Sequence, residues 1–382
     1  MSQRVEPVAP APPLAAVAEW LGARAWIAGW WIAGRALVLA TALGVDAFGP
    51  RGFLRYDEHA HVLGLLNAWD GRWYRMVAAD GYLLVPGRQS DPAFFPLYPL
   101  LLRAVHTLGI GYVTAGLLIS NIALLVALLA LHALSVDLFG PQLARRATVY
   151  AAVFPLGYVF SMAYPESVVL GAIALAGLAA VRGRWGIAAL CAAGAALARP
   201  EGLFVALPIL AVAWHRRREL SPVERGRALG AVAAPAAALA SFPAYLDRVL
   251  HDPLAWNRAE HAWGRQFSPL GFVKAFSHLP STLAQNPGLV RDVVALFVYL
   301  GLLWAARRAG APRPWLLAAL AVVILPLFSG SFDSIGRFGL LAPPLFWGLA
   351  WLGRSRRADL AIRTASLVLL VVATATIPFV FP

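Results

Sequence analysis

The sequence is poor in charge, in lysine and in cysteine. Only 13% of its 382 residues are charged, about half the share in a typical soluble domain, which excludes an ordinary soluble protein. Cys191 is the single cysteine, so the chain has neither an internal disulfide nor a thiolate metal site. No glycine-rich loop of the P-loop or Rossmann kind is present, so no nucleotide site is expected.

The sequence contains many long apolar runs. Hydrophobic residues make up 60% of the chain, and about 20 apolar residues in a row cross a bilayer. The pattern predicts an all-α polytopic membrane protein with about eleven transmembrane helices. The predicted spans are 25–45, 113–134, 147–163, 167–181, 185–198, 203–214, 229–246, 293–306, 315–328, 340–352 and 360–377. Residues 1–21, rich in alanine and proline, are expected to be a flexible cytoplasmic tail before a single membrane domain at 22–382.

Positive charge is concentrated in short gaps between the apolar runs. The 32 basic residues outnumber the 19 acidic ones, and Lys274 is the only lysine. Cytoplasmic loops of membrane proteins carry surplus arginine and lysine, which explains the excess without nucleic-acid binding. If the N-terminus is cytoplasmic, successive spans place five basic gaps on the cytoplasmic side. These gaps are 145–146, 182–184, 216–218, 307–308 and 354–357. The same alternation places 46–112 and 247–292 on the outer face of the cell membrane.

The first outer segment contains the candidate catalytic acid, Asp70. The stretch from Asp70 to Asp80 predicts a short amphipathic helix on the membrane surface, with its aromatic side chains at headgroup level. Asp70 is either the N-cap of that helix or a carboxylate that takes a proton from an acceptor hydroxyl.

A second group of polar residues precedes this helix. Asp57, Glu58, His59 and His61 are all potential metal ligands, but two histidines two positions apart do not share a helix face. We therefore expect a solvated cluster and no metal site, with metal binding as the alternative.

Prolines interrupt the apolar stretch that follows, FFPLYP at 94–99. Irregular backbone at membrane depth is tolerated where it lines a cavity. Phe94, Phe95 and Tyr98 are therefore predicted to form the wall of a groove, and an aromatic anchor at the membrane interface is the alternative.

Charged residues also stand at the outer ends of later apolar runs. Ionisable groups in such positions face a polar cavity or pair with one another, which applies to Glu166 in YPES and to Arg199 and Glu201 in RPEG. Arg337 is a candidate for bidentate phosphate binding or for contact with lipid headgroups. The outer segment 247–292 is aromatic and basic, which suits an anionic lipid.

Several of these motifs resemble one family. WDGRWY at 69–74, followed by DGY at 80–82, and AFFPLYPLLLR at 93–103 together resemble the first luminal loop of the PIG-V type mannosyltransferases. These enzymes are members of the GT-C superfamily, whose glycosyltransferases use polyprenyl-phosphate sugars. YPES at 164–167 and SIGRF at 334–338 resemble family positions more loosely.

The resemblance implies a GT-C-like helix bundle and an inverting transfer of mannose from a polyprenyl-phosphate-mannose donor to a hydroxyl on the extracytoplasmic face. It implies Asp70 as general base, and the reserve acids are Glu58, Asp57, Glu166 and Glu201. The residues expected to hold the donor phosphate and sugar are Arg337, Arg199, Arg72 and Tyr74. The implied partners are the lipid donor, the membrane, and a glycan, glycolipid or glycoprotein acceptor, with no nucleic acid and no cofactor.

One motif departs from the eukaryotic pattern. RPEG at 199–202 stands where the eukaryotic members usually have a serine-rich turn. The use of arginine over lysine and the alanine-rich spans further indicate a bacterial member. A GPI precursor is therefore not the expected acceptor.

A transporter or lipid flippase is the alternative class of function. Such proteins carry charges in the middle of their spans and discontinuous helices in symmetric positions. Here Arg35 is the main charge inside an apolar run, and nearly all acids lie at outer ends. The sequence therefore favours chemistry at one face over passage through the midplane.

The orientation is testable by cysteine labelling after Cys191 is replaced by serine. We expect Gln89→Cys, in the first outer segment, to react with an impermeant maleimide on intact cells. Arg218→Cys, in a basic gap, should react only after the membrane is opened. Reaction of Gln89→Cys from the cytoplasmic side alone would contradict the predicted orientation.

Overall fold

The computed structural model describes residues 22–49 and 62–381, and this part of the chain contains helices and no strands. In chain order, its α-helices are α1 (Ala25–Phe48), α2 (Val62–Leu66), α3 (Asp70–Asp80), α4 (Leu97–His106), α5 (Tyr112–Phe139), α6 (Pro141–Ala152), α7 (Glu166–Val181), α8 (Trp185–Ala198), α9 (Ala206–Arg216), α10 (Pro222–Leu250), α11 (Ala255–Ala262), α12 (Gly271–Gln285), α13 (Val290–Arg308), α14 (Arg313–Ile324), α15 (Ile335–Phe338), α16 (Pro343–Leu352) and α17 (Arg356–Ala375). Short 3₁₀ helices lie at Asp91–Ala93, Gly157–Ser161, Pro200–Val205, Pro287–Leu289, Leu325–Ser329 and Gly339–Leu341. The predicted all-helical class is confirmed.

Within the described ranges, five helices are long and apolar enough to cross a membrane. They are α1, α5, α10, α17 and the segment Pro287–Arg308, which contains α13. The apolar segments Ile335–Leu341 and Pro343–Leu352 form a further pair, bent by 88°, because Ala342 precedes a proline and is extended. The protein is therefore a polytopic helical membrane protein, as predicted, but its described residues contain fewer full-length spans than eleven. The other apolar runs form shorter helices, among them Glu166–Val181 and Trp185–Ala198.

The predicted span 147–163 is wrong. Helix α6 ends at Ala152, and the chain continues through a turn at Pro155 and a short 3₁₀ helix. Although it is not α-helical, this segment is mostly buried. Hydropathy alone does not distinguish a buried irregular segment from a span, since both are apolar.

Arg35 of α1 stabilises this irregular segment. Its guanidinium group donates hydrogen bonds to the carbonyl oxygens of Gly157 and Ala152, at 2.9 and 3.1 Å, and to the hydroxyl of Ser161 at 2.8 Å. Backbone carbonyls without helical partners need such donors in a membrane. Arg35, the main charge inside an apolar run, therefore supplies hydrogen bonds to backbone carbonyls of the protein itself.

Helices α7 and α8 form a hairpin that packs against α5 on one side and α10 on the other. Both are rich in alanine and glycine, which lets neighbouring backbones approach closely. Glu166 begins α7 and Arg199 directly follows α8, so both lie at the open end of the hairpin. The basic gap 182–184 lies at its opposite, closed end.

Residues of the basic gaps contact the ends of neighbouring helices. Arg182 pairs with Asp137 at the end of α5, at 2.9 Å, and Arg216 lies against the turn that follows α7. Arg146 donates to the carbonyl of Ala350, at 3.1 Å, close to the gap 354–357. The predicted placement of these gaps on one side of the membrane fits this arrangement.

Gly348 of α16 allows a close contact with α13. A Cβ atom at Gly348 would lie 2.0 Å from the carbonyl oxygen of Leu302, so Gly348→Ala must push two helices apart. We expect the free energy of unfolding to fall by about 1–3 kcal/mol, measured by denaturation in detergent. Gly301→Ala on α13 has open space around it and is the matched control, with no loss expected. Equal losses in the two variants would argue against the close contact.

Candidate active site

Charged side chains from distant parts of the chain meet inside the protein. Asp70 is the first residue of α3, Glu166 begins α7, Arg199 and Glu201 follow α8, and Arg337 lies in α15. None of the five is more than 7% exposed. Buried charges are stable only when they are paired and hydrogen-bonded. These side chains are therefore expected to be bonded to one another.

The five side chains form a chain of alternating charge, which we call the ionic network. Arg337 Nη1 donates to Asp70 Oδ2 at 2.5 Å and lies 3.8 Å from Glu166 Oε1. Arg199 donates from Nη1 to Glu166 Oε1 at 2.8 Å and from Nε to Glu201 Oε2 at 3.1 Å. Within the part of the chain that the structure describes, Arg337 Nε and Glu166 Oε2 have no hydrogen-bond partner. The network thus keeps unused hydrogen-bonding capacity at both of these side chains.

Aromatic rings cover both guanidinium groups. The guanidinium carbon of Arg199 lies 4.3 Å from the centre of the Phe338 ring, and that of Arg337 lies 5.1 Å from the centre of the Phe381 ring. Both distances are within the range of cation–π attraction. The rings therefore hold the two groups in place without adding further hydrogen bonds.

The first motif of the sequence positions Asp70. The hydroxyl of Tyr164, in the YPES turn, accepts the backbone N–H of Asp70 at 3.1 Å and donates to the carbonyl of Ala68 at 3.3 Å. The N-cap position of α3 is occupied by Trp69, which makes no side-chain capping bond. The N-cap interpretation of Asp70 is therefore wrong, because Asp70 is already inside the helix and its carboxylate bonds Arg337.

The other residues of WDGRWY have separate roles. Trp69, at φ 60°, donates its indole N–H to the carbonyl of Ile377 at 2.9 Å. Tyr74 follows Asp70 by one helical turn, so the two share a face and both line the same cavity. Arg72 is exposed and does not line that cavity, because two positions along a helix lead to a different face. The structure does not bring Arg72 to the site where the sequence analysis expected it.

Four of the five residues of the ionic network, all except Glu166, line a cavity of about 400 Å³. Most of the cavity surface is apolar, and Phe94 and Phe95 line it at the positions expected of a groove wall. Tyr98 does not line it, because its hydroxyl donates to the carbonyl of Gly116 at 3.0 Å and lies 2.8 Å from the hydroxyl of Ser120. Tyr98 instead packs α4 against α5. Among the described residues, four carboxylates and three guanidinium groups line the cavity, which gives this lining no excess of positive charge.

A second wall of the cavity was missed by the sequence analysis. It consists of Trp256, Asn257 and Glu260 of α11. Burial raises the pKa of Glu260, and the guanidinium of Arg265, 3.7 Å away, opposes that shift. The spacing of four residues between Trp256 and Glu260, typical of one helix face, was the available signal.

Two hydrogen bonds from α13 hold the short helix that contains Arg337. Asp292 Oδ1 accepts the backbone N–H of Gly336 at 2.7 Å, and the hydroxyl of Tyr299 donates to the carbonyl of Gly336. Gly339 packs directly on the Tyr299 ring, where a Cβ atom would lie 2.1 Å from it. The backbone on both sides of Arg337 is therefore fixed by contacts that sequence motifs did not indicate.

The remaining predicted residues lie elsewhere. Asp57, Glu58, His59 and His61 fall outside the described residues. Within 22–49 and 62–381, no group of three or more histidine, cysteine, aspartate or glutamate side chains is arranged to hold a metal ion.

No protein-family model and no curated protein matches the sequence. Among solved structures, the chain is similar to the oligosaccharyltransferase of Archaeoglobus fulgidus in complex with zinc and sulfate, with 12% identity over 91% of this chain and a TM-score of 0.43. It is also similar to the archaeal oligosaccharyltransferase AglB of the same organism, in complex with an inhibitory peptide and a dolichol-phosphate, with 13% identity over 91% of this chain and a TM-score of 0.43. The chain spans about half the length of these proteins, 53% of the first and 55% of the second.

Arg199 is expected to be essential for stability because it bonds two buried carboxylates. Arg199→Met leaves Glu166 and Glu201 without that partner and should lower the free energy of unfolding by about 3–5 kcal/mol. Arg182→Met removes a partly exposed pair with Asp137 and should cost about 1 kcal/mol or less. Denaturation of both variants in detergent measures the difference. Similar losses would mean that the ionic network is not held by pairing.

Proposed function

We propose that this protein is a membrane glycosyltransferase of the GT-C superfamily that transfers mannose from a polyprenyl-phosphate-mannose donor to an acceptor hydroxyl, with inversion. The observation that carries the proposal is the pair formed by Asp70 of WDGRWY and Arg337 of SIGRF. The two residues are separated by 267 positions, yet they are bonded to each other at the edge of an aromatic cavity. The motifs that resemble the PIG-V type mannosyltransferases therefore converge in space.

The donor phosphate would bind by replacing Asp70 at Arg337. Both arginines of the network are already paired with carboxylates, so an incoming phosphodiester has no free guanidinium to bind. A phosphate oxygen can take over the Nη1 hydrogen bond of Arg337, and the planar Nη1–Nη2 end of the guanidinium suits bidentate anion binding. Donor binding and release of the Asp70 carboxylate then occur in one exchange.

The released carboxylate is positioned to act as general base. The acceptor hydroxyl would attack the anomeric carbon from the face opposite the phosphate, and its proton would pass to Asp70. The bond between the anomeric carbon and the phosphate oxygen breaks, and polyprenyl phosphate leaves with its charge held by Arg337. Positioning and electrostatic stabilisation would supply most of the rate enhancement.

The cavity suits a lipid-borne donor. Its surface is mostly apolar and includes Phe94, Phe95 and Phe242, next to the charged groups. An isoprenoid chain can lie against such rings while its phosphate reaches the network. The alternation of the basic gaps supports the proposal that this site faces the extracytoplasmic side of the cell membrane.

Transport is the less favoured function. Arg35, the main charge inside an apolar run, is bonded to backbone carbonyls and a serine hydroxyl of the protein itself. Charges that carry a substrate across a membrane face a water-filled cavity or pair with other charges. Arg35 therefore gives no support to a transport pathway.

Asp70→Asn tests the proposed base. The change keeps the size of the side chain and an oxygen that can accept from Arg337, so the protein should insert and remain folded. General-base assistance contributes about 10²- to 10⁴-fold in rate, and we expect turnover of radiolabelled polyprenyl-phosphate-mannose to fall by that factor in membranes with equal expression. Retention of more than about a tenth of the wild-type turnover would rule Asp70 out as the base.

Arg337→Lys, in the same assay, tests the phosphate contact. Lysine keeps the charge but lacks the planar fork of arginine, so the KM for the donor should rise while the protein still inserts. An unchanged donor KM in both Arg337→Lys and Arg337→Ala would move the phosphate site to Arg199.

A further inference from the structure

The second wall of the cavity, formed by Trp256, Asn257 and Glu260, differs in kind from the ionic network. We call it the α11 wall. Positions 256 and 260 are one helical turn apart and 257 lies beside them, so all three side chains face the same side of α11 and line the cavity. The wall lies apart from the Asp70–Arg337 pair in sequence and has no ion pair with it.

A hydrogen-bonding group of the α11 wall is unused. Among the described residues, the buried indole N–H of Trp256 has no hydrogen-bond partner, and the side chains of Asn257 and Glu260 line the cavity beside it. In the part of the chain that the structure describes, Glu260 has one charged partner, Arg265, at 3.7 Å, which is longer than a hydrogen bond. Buried polar groups are almost always satisfied in native proteins. The unpaired indole N–H of Trp256, beside an amide and a carboxylate on the same cavity wall, therefore indicates a ligand that both donates and accepts hydrogen bonds.

The charge of the wall favours a neutral ligand. The carboxylate of Glu260 is balanced by the guanidinium of Arg265, whose positive charge opposes the rise in the Glu260 pKa that burial causes. A second phosphate would find no unpaired cation at the α11 wall. Aromatic rings offer the ligand an apolar contact. The rings of Phe94 and Trp263 line the same cavity and lie edge to face, with centres 5.8 Å apart.

We propose that the α11 wall binds a hexose ring. A pyranose has hydroxyl groups that donate and accept at its edge, and C–H groups on its faces that pack on aromatic rings. The inference rests on the proposed function, because the ring belongs either to the sugar of the donor or to a sugar of the acceptor. The shared chemistry is that of a neutral ring bearing several hydroxyl groups.

The test is direct binding to the full-length protein in nanodiscs. The probes are a short-chain polyprenyl phosphate, the same lipid phosphate carrying mannose, and methyl α-mannoside. The variants are Asn257→Leu, which removes the amide at similar size, and Glu260→Gln, which removes the charge and keeps a hydrogen-bonding group. His261→Leu, at an exposed position of the same helix that does not line the cavity, is the matched control.

We expect Asn257→Leu to weaken binding of a sugar-bearing probe by about three- to tenfold for each hydrogen bond lost. Glu260→Gln should cost less, and His261→Leu should cost nothing. Binding of the bare polyprenyl phosphate should be unchanged in all three variants. A loss confined to the mannose-bearing lipid assigns the wall to the donor sugar, whereas a loss for methyl α-mannoside assigns it to the acceptor.

Three results would overturn the proposal. The first is unchanged affinity of Asn257→Leu for both sugar-bearing probes. The second is an equal loss for the bare polyprenyl phosphate, which would mean a general effect on the cavity. The third is the absence of any sugar-dependent binding by the wild-type protein. Failure of the proposed donor site would be seen separately, as unchanged binding of the bare polyprenyl phosphate by Arg337→Lys.

Discussion

Five charged side chains must be buried in one place, and the arrangement of the surrounding helices follows from that requirement. Removing a charge from water costs several kcal/mol even in a relaxed protein environment, so each group needs an opposite charge at short range. Asp70, Arg337, Glu166, Arg199 and Glu201 meet the requirement by alternating in sign. Helices that begin or end with these residues, such as α3, α7 and α8, therefore terminate at the same point.

Proline explains how helices can stop inside an apolar protein. Pro165 is the N-cap of α7, Pro200 begins the 3₁₀ helix after α8, and Pro343 begins α16. The breaks at Pro165 and Pro200 place Glu166, Arg199 and Glu201 in the ionic network rather than in a distant loop. Helix breaks leave backbone groups without hydrogen-bond partners in a helix. Side chains such as Arg35 and Tyr299 donate hydrogen bonds to some of these backbone carbonyls.

Local features were predictable from the sequence, and long-range ones were not. The helix from Asp70 to Asp80 and the bounds of α8 agree with the sequence patterns, because amphipathic and apolar periodicity are local properties. The Arg199–Glu201 pair was foreseeable, since the two residues are nearly adjacent. The bond between Asp70 and Arg337 was not, because no periodicity relates residues 267 positions apart. Glu260 was not predicted as a site residue because its helix is short and its neighbours in sequence are basic and aromatic.

The separation of Asp70 from Arg337 also has a consequence for biosynthesis. Ribosomes add about 5–20 residues per second, so roughly ten to fifty seconds pass between the synthesis of the two residues. During that interval the Asp70 carboxylate has no Arg337 to bind, and α3 must be held near water or by transient partners at the insertion machinery. The ionic network is therefore completed late, after most helices have been inserted. A chain interrupted before α15 would leave three acids with only one of their two arginines.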